Sequence, residues 1–158
     1  MKNIIIRRFR KCDAQSVSEL VRRNSLEVNI KDYPKEQMER LANIFDFNKA
    51  IMKANSSHMY VACVNEKVVG CGAIARFFGK DDDSILSAIF VLPEFHGKGI
   101  GKLIVETLEK DDYFTSAKRI EIPSTITACG FYKKMGYTYK DGINKLDEEG
   151  HYRLEKFN

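Results

Sequence analysis

Apolar positions along this chain repeat with two different periods, and the change between them divides it into a helical first third and a sheet-forming remainder. Ile4, Ile5 and Ile6, followed by Arg7, Arg8 and Phe9, read as an opening strand. Asp13 stands where a helix cap belongs, ahead of Val17, Leu20 and Val21, whose i, i+3, i+4 spacing makes one apolar helix face. Asp32-Tyr33-Pro34 breaks the chain, and Pro34 suits the first turn of a second helix with Met38, Leu41, Ala42 and Phe45 in helical register. A third helical stretch is predicted over residues 48–54. From Met59 the period falls to two. Residues 59–64 and 68–78 read as a hairpin about the turn Asn65-Glu66-Lys67, and residues 84–92 as a further, largely apolar strand ending before Pro93. Ile100, Leu103, Ile104, Thr107 and Leu108 then return to helical spacing. A short strand over 119–122, a helix over 126–135 closed by Gly136, and strands over 137–140 and 151–157 complete the pattern. This order predicts an α+β fold, a mixed sheet of about six or seven strands flanked by about four helices.

Composition narrows the function classes. A chain of 158 residues is expected to form one domain, residues 1–158, with a core that needs no staples. Lys and Arg number 26 against 22 Asp and Glu, and the excess is spread along the chain, so no nucleic-acid partner is expected. The longest apolar runs, such as residues 68–75, are far shorter than the roughly twenty residues a spanning helix needs. The apolar stretch near the start is three residues long, so no signal peptide is expected and the predicted location is cytoplasmic. Cys12, Cys63, Cys71 and Cys129 have no C-x-x-C pairing and no companion His spacing, which argues for reduced thiols and against a metal site or disulfide framework. The run Asp81-Asp82-Asp83 reads as a solvated turn, and His58 and His151 as strand-end residues without catalytic companions.

The segment that carries chemistry is residues 91–102, where a strand runs into Gly97, Gly99 and Gly101 and a helix follows at once. Glycines allow positive φ and close approach of backbone to ligand. The first turn of a helix offers unpaired N–H groups and partial positive charge, a cradle for phosphate or pyrophosphate that Lys98 and Lys102 reinforce. A P-loop would need Gly at 96 and Ser or Thr at 103, where the chain has His96 and Leu103. A dinucleotide fingerprint from Gly97 would need Gly or Ala at 102, and would belong to the first strand of its fold. Both fail.

The pattern that fits is [Q/R/H]-x-x-G-x-[G/A], present as His96-Gly97-Lys98-Gly99-Ile100-Gly101 behind Ile89-Phe90-Val91. About thirty residues on, Thr125-Ile126-Thr127-Ala128-Cys129-Gly130-Phe131-Tyr132 with Gly136-Tyr137 matches N-x-x-A-x-x-F-Y-x-x-x-G-[F/Y]. Together these segments resemble the GNAT superfamily of N-acetyltransferases, with the likeness strong over residues 58–140. The resemblance implies a sheet with one splayed parallel pair, here strands 84–92 and 119–122, and acetyl-CoA as co-substrate without a metal. It implies that backbone groups of Ile89, Phe90 and Val91 pair with the pantetheine arm, that one of these N–H groups polarises the thioester carbonyl, and that N–H groups from Gly97, Lys98, Gly99, Ile100, Gly101 and Lys102 take the pyrophosphate. The His96 side chain either adds a donor there or packs the loop. Thr125 stands where the family often has Asn; helix capping and a pantetheine contact are both open to it.

Tyr132 matches the family's general acid, which returns a proton to the departing thiolate. The base is harder to assign. Many members carry a Glu on the strand before the loop, and residues 84–88 hold none. Glu121 alternates out of phase with Ile120 and Ile122 and is the candidate base or water-holder, with a paired carboxylate as the competing reading; Glu27 and Asp83 are further candidates. Tyr33, Phe45 and Phe47 lie in the helical arm that covers the acceptor site in the family. The expected reaction is acetyl transfer to a primary amine of a small molecule or peptide, the alternative an acyl-CoA-binding regulatory module. Members of the family are often dimers, so a homodimer is expected from the resemblance alone. The mixed charge of the arm favours neither cationic nor acidic acceptors.

Overall fold

The switch to period two at residue 58 is where the sheet takes over in the computed structural model of the chain, which describes residues 3–158. Strand β1 (Ile4–Arg8) leads into three helices, α1 (Ala14–Glu27), α2 (Lys35–Ile44) and α3 (Phe47–Asn55). The hairpin β2 (His58–Val64) and β3 (Lys67–Arg76) follows, then β4 (Asp83–Val91), α4 (Ile100–Leu108), α5 (Asp112–Thr115), β5 (Arg119–Ser124), α6 (Cys129–Lys134), β6 (Thr138–Tyr139) and β7 (Tyr152–Phe157). The seven strands form one sheet in the order β1-β2-β3-β4-β5-β7-β6. Every pairing is antiparallel except β4 with β5. This is the mixed α+β sheet the alternation predicted.

Local chemistry explains the elements. Asn65 and Glu66 both hold positive φ, as the two-residue hairpin turn joining Val64 to Lys67 requires. Helix α4 lies against β3 where Gly70 and Gly72 face it: a Cβ at either position would meet the Ile104 side chain at 2.8 and 2.6 Å. That close approach brings Ile100, Ile104 and Leu108 of α4 into the fully buried core with Met59, Ile74, Leu86, Ile120, Ile122 and Leu154. Helix α1 packs on β3 and β4 through Val17, Leu20 and Val21, and α2 and α3 stack on α1.

Several boundaries differ from expectation for identifiable reasons. Asp13 does precede α1, but its carboxylate turns back to accept from Arg10 N at 2.7 Å and from the Arg7 guanidinium at 2.8 and 2.9 Å. Helix α6 starts at Cys129, not 126, because the preceding loop is tied to the helical arm: Ile126 N donates to the Tyr33 hydroxyl at 3.1 Å, and the Thr127 hydroxyl donates to Asp32. The one-turn helix α5, capped by the Asp111 carboxylate on Tyr113 N, is too short to leave a periodic signal.

Candidate active site

The parallel pair β4–β5 is joined only at Asp83–Arg119, Ser84–Ile120 and Ile85–Glu121. Beyond that point β4 runs on to Val91 and β5 to Ser124 without pairing, so the sheet forks. In the same stretch β4 carries a bulge. Cys71 opposes Phe90 and Ala73 opposes Ser87, so two steps along β3 match three along β4, and Ala88 holds φ of 52° to accommodate the extra residue. A cleft of about 830 Å³ opens at the fork, walled by β4 from Leu86 to Val91, the end of β5, α6, the head of α4 and the helical arm.

Edge groups of β4 are sorted by alternation. Leu92 N donates to Val69 O, and Phe90 pairs with Cys71, so Val91 turns its own N–H and C=O away from β3. That carbonyl is already engaged: Asn24 Nδ2 donates to it at 2.9 Å and His96 Nε2 at 2.7 Å. Because a carbonyl only accepts, the proton of a neutral His96 ring sits on Nε2. The Val91 N–H is left facing the gap. His96 therefore clamps the loop to the strand end through Nε2, and its side chain also lines the cleft.

At the head of α4, Gly97 and Gly99 hold φ of 73° and 81°, which swing the chain from the turn at Pro93–Phe95 into the helix. A Cβ at either glycine would meet nothing within 4 Å, so the positive φ demands glycine there and open space lies beside it. Among the described residues no backbone acceptor serves the N–H groups from Gly97 to Lys102; the first satisfied one in the helix is Leu103, on Gly99 O. Gly97, Gly99, Ile100, Gly101 and Lys102 line the cleft. Lys98 does not; its ammonium lies over the Phe95 ring, 5.4 Å from the centroid.

Tyr132 reaches the same cleft from α6, edge-on to Phe131 and Tyr137. The residue is almost wholly buried, and no partner for its hydroxyl occurs among the described residues. Burial holds the phenol well above its ordinary pKa, so it stays protonated. Thr125 also lines the cleft, and its Oγ1 lies 3.4 Å from Ala128 N, a long contact ahead of the helix.

Glu121 is not brought to the cleft. Alternation on β5 sends Ile122 there and turns the Glu121 carboxylate into a buried ion cluster. Arg119 and Arg153 both donate to it, Arg153 Nε at 2.7 Å, and Lys140 Nζ lies 3.2 Å away. Burial alone would raise its carboxyl, but the two guanidiniums outweigh that and hold it below the usual carboxylate range. A carboxylate so occupied and so far from basic is no acceptor for an amine proton, and the base expectation for Glu121 is corrected accordingly. Glu27 is likewise taken, by Arg23, and Asp83 by Arg119. Of the arm aromatics Phe45 lines the cleft; Tyr33 ties the arm down, donating to Gly150 O at 2.6 Å, and Phe47 faces solvent.

Asn24, Lys49, Lys53 and His151 are among the cleft-lining residues that went unnoticed as site residues in the sequence. His151 precedes β7, and its buried Nδ1 has no hydrogen-bond partner among the described residues; the nearest anion is Glu149 Oε2 at 3.8 Å. Each sits in ordinary helix or strand-end context, so only the tertiary arrangement reveals it. Among the described residues no group of three or more His, Cys, Asp or Glu side chains could hold a metal ion, and no helix is long and apolar enough to cross a membrane.

Comparison with known proteins places this cleft in context. A family model described as an acetyltransferase (GNAT) domain matches residues 55–139. Over 79 residues the chain is 37% identical to an uncharacterized N-acetyltransferase of Chlorobaculum tepidum; the match covers 49% of this chain and 48% of that protein, about half the length of the curated relative. The PaiA N-acetyltransferase of Thermoplasma acidophilum, solved in complex with coenzyme A, superposes with TM-score 0.81 at 17% identity over 99% of each chain. A GCN5-related N-acetyltransferase structure from Rhodopseudomonas palustris gives 0.80 at 19% identity, over 100% of this chain and 98% of that one.

Proposed function

The chain belongs to the GNAT acetyltransferase domain family, and on that premise we propose that it transfers an acetyl group from acetyl-CoA to a primary amine by direct attack. The observation that carries this reading is the convergence in one cleft of the forked β4 edge, the unpaired N–H groups at the head of α4 and the unpartnered Tyr132 hydroxyl. The N–H groups from Gly97 to Lys102 take the pyrophosphate, the β4 edge takes the pantetheine arm, and the Val91 N–H is the donor best placed to polarise a thioester carbonyl.

A primary alkylamine is almost wholly protonated at neutral pH and must lose a proton before it attacks. Histidine is the side chain that exchanges protons in that range. His96 is committed to Val91, which leaves His151, whose buried Nδ1 has no hydrogen-bond partner among the described residues, as the acceptor. The free amine then forms the C–N bond at the thioester carbon. The tetrahedral adduct, whose nitrogen carries two protons, gives up one of them to solvent, the C–S bond breaks, and the thiolate takes the Tyr132 proton. The products are an acetamide and free CoA, and Tyr132 is reprotonated from water.

One observation favours a second reading: no Asp or Glu lines the cleft among the described residues, as an acyl-CoA-binding regulatory module would tolerate. Calorimetric titration with acetyl-CoA, with CoA, ATP and NAD in parallel, followed by a primary-amine screen read by thiol release, decides between them. Micromolar acetyl-CoA binding with turnover is the expected result. Binding without turnover on any amine selects the regulatory reading, and equal retention of ATP or NAD overturns both. In the active enzyme, His151→Gln is expected to lower kcat/KM about 10²-fold. Unaltered kcat/KM in that variant excludes His151 as the proton acceptor.

A further inference from the structure

The charges that line the cleft are of one sign. Lys49, Lys53 and Lys102 face it, and among the described residues neither an aspartate nor a glutamate does. Lys102 belongs to the first turn of α4, beside the unpaired N–H groups and 3.9 Å from Glu106, so the phosphates of the co-substrate account for it. Lys49 and Lys53 have a different setting. They stand four residues apart on α3, hence on one helix face, and α3 packs on α1 and β2.

Neither ammonium has a carboxylate within 4.0 Å among the described residues. Of the acidic groups on the neighbouring elements, Glu27 and Glu94 bind Arg23, Glu39 lies 3.8 Å from Lys35, Asp32 accepts from Thr127 and Asp46 caps α3, accepting from Lys49 N at 2.9 Å, while Glu19 and Glu36 lie outside the cleft lining. Lys53 is half-buried, and burial together with the Lys49 charge pulls its ammonium below the ordinary lysine range. Two like charges at this spacing destabilise a helix, and among the described residues no carboxylate pairs with either ammonium to offset that. The mixed charge of the arm as a whole conceals this, because Arg22, Arg23, Glu27, Lys31, Asp32, Lys35 and Glu36 all lie outside the cleft lining.

We propose that the acetyl acceptor is a primary amine carrying an anionic group, a carboxylate or a phosphate, which Lys53 and Lys49 hold. The assignment rests on the acetyltransferase reading of the same cleft. A diamine offers no counter-charge to the lysines and is repelled, whereas an aminocarboxylate or aminoalkyl phosphate keeps its amine free and sets an anion between the two ammonium groups.

The test uses the full chain loaded with CoA. Aminocarboxylates from glycine to 6-aminohexanoate, 2-aminoethyl phosphate, pentylamine and 1,5-diaminopentane are titrated calorimetrically into the wild type and into Lys53→Gln, Lys49→Gln and the double variant. Acetyl-CoA is titrated into each protein separately. At least one carboxylate or phosphate member is expected to bind about tenfold or more tightly than pentylamine, the gain of a hydrogen bond to a charged group, with the preference lost in the double variant and acetyl-CoA affinity unchanged. The carboxylate and phosphate arms tell the two anions apart. A wild-type cleft that binds no anionic member better than pentylamine or 1,5-diaminopentane overturns the proposal. So does a lysine variant whose acetyl-CoA affinity falls with the preference, since the lysines then serve the co-substrate. Thiol release is read independently: an anionic amine that binds with the predicted lysine dependence but is never acetylated supports the charge preference and removes the transferase reading.

Discussion

Strands β4 and β5 are one parallel pair with two unlike halves. Below the fork they share a ladder, and the charges beside it are matched. Arg119 reaches Asp83 at 2.9 Å, Glu155 at 2.7 Å and Glu121; Arg153 and Lys140 close on Glu121 from the other side. Above the fork the ladder stops and Ala88 sits at positive φ; among the described residues six successive N–H groups lack backbone acceptors, two lysines lack a carboxylate within 4.0 Å and the Tyr132 hydroxyl lacks a partner. The contrast is between a lower half that pairs its own charges and holds the two walls apart as a rigid hinge, and an upper half that presents its polar groups to the open cleft.

The strongest way to break the comparison is to unpair the lower half. Glu121→Ala removes the shared acceptor of two guanidiniums and an ammonium and leaves a buried void; Arg119 keeps Asp83 and Glu155 and Arg153 keeps Asp147, so the loss is expected at or below the low end of the about 3–5 kcal/mol that breaking a buried pair costs. Urea denaturation is expected to show that loss. Because the folded carboxyl is held below its unfolded value of about 4.3, its contribution is fully present above that value and drains away as pH falls through the lower folded one. Glu121→Gln should therefore flatten the acid side of the stability profile. A variant as stable as the wild type would mean the cluster is not the hinge described.

In the upper half, Tyr132→Phe removes a hydroxyl without a partner among the described residues, so stability and acetyl-CoA affinity should hold while kcat falls about 10²–10⁴-fold, the usual worth of a general acid. Burial keeps the wild-type phenol protonated beyond its ordinary value near 10, so no basic limb from Tyr132 should appear in kcat across the working range. Full turnover by the variant at every pH would exclude the role. Gly99→Glu sharpens the comparison at the other wall. It sets a side chain at φ of 81° and an anion beside the free N–H groups. Acetyl-CoA affinity should fall about 10–100-fold, the loss of one or two hydrogen bonds to a charged group; unaltered affinity would show that the loop does not hold the pyrophosphate.

The halves were also unequally legible in the sequence. Alternation and helical period located every strand and all helices of more than one turn, because burial on one face imposes those periods. The glycine cluster was legible because positive φ and open space admit little else. Which face a carboxylate takes was read correctly for Glu121, opposite Ile120 and Ile122, but alternation does not say which face opens to the cleft, and here Ile122 takes it. Lys49, Lys53 and His151 carry no local signal at all. Their membership in the cleft depends on how α3 and the turn before β7 fold over the fork, a long-range arrangement that periodicity does not encode.

The smallest expected effect tests the bulge itself. Ala88 at φ of 52° lies in a region that strains L-residues by about 1–2 kcal/mol, whereas glycine adopts it freely at an entropic cost of roughly 0.5–1 kcal/mol. Ala88→Gly should consequently leave stability unchanged or raise it by less than about 1 kcal/mol. Ala73 is the matched control: it is fully buried on β3, paired with Ser87, with ordinary strand φ. There the same substitution relieves nothing, removes a packed methyl and should destabilise by about 1 kcal/mol or more. Opposite signs for these two alanines in urea midpoints would show that the upper half of β4 is held out of regular strand geometry by the surrounding structure. Equal destabilisation would mean that Ala88 lies in regular strand, that the β4 edge is not preshaped for its ligand, and that the fork alone accounts for the cleft.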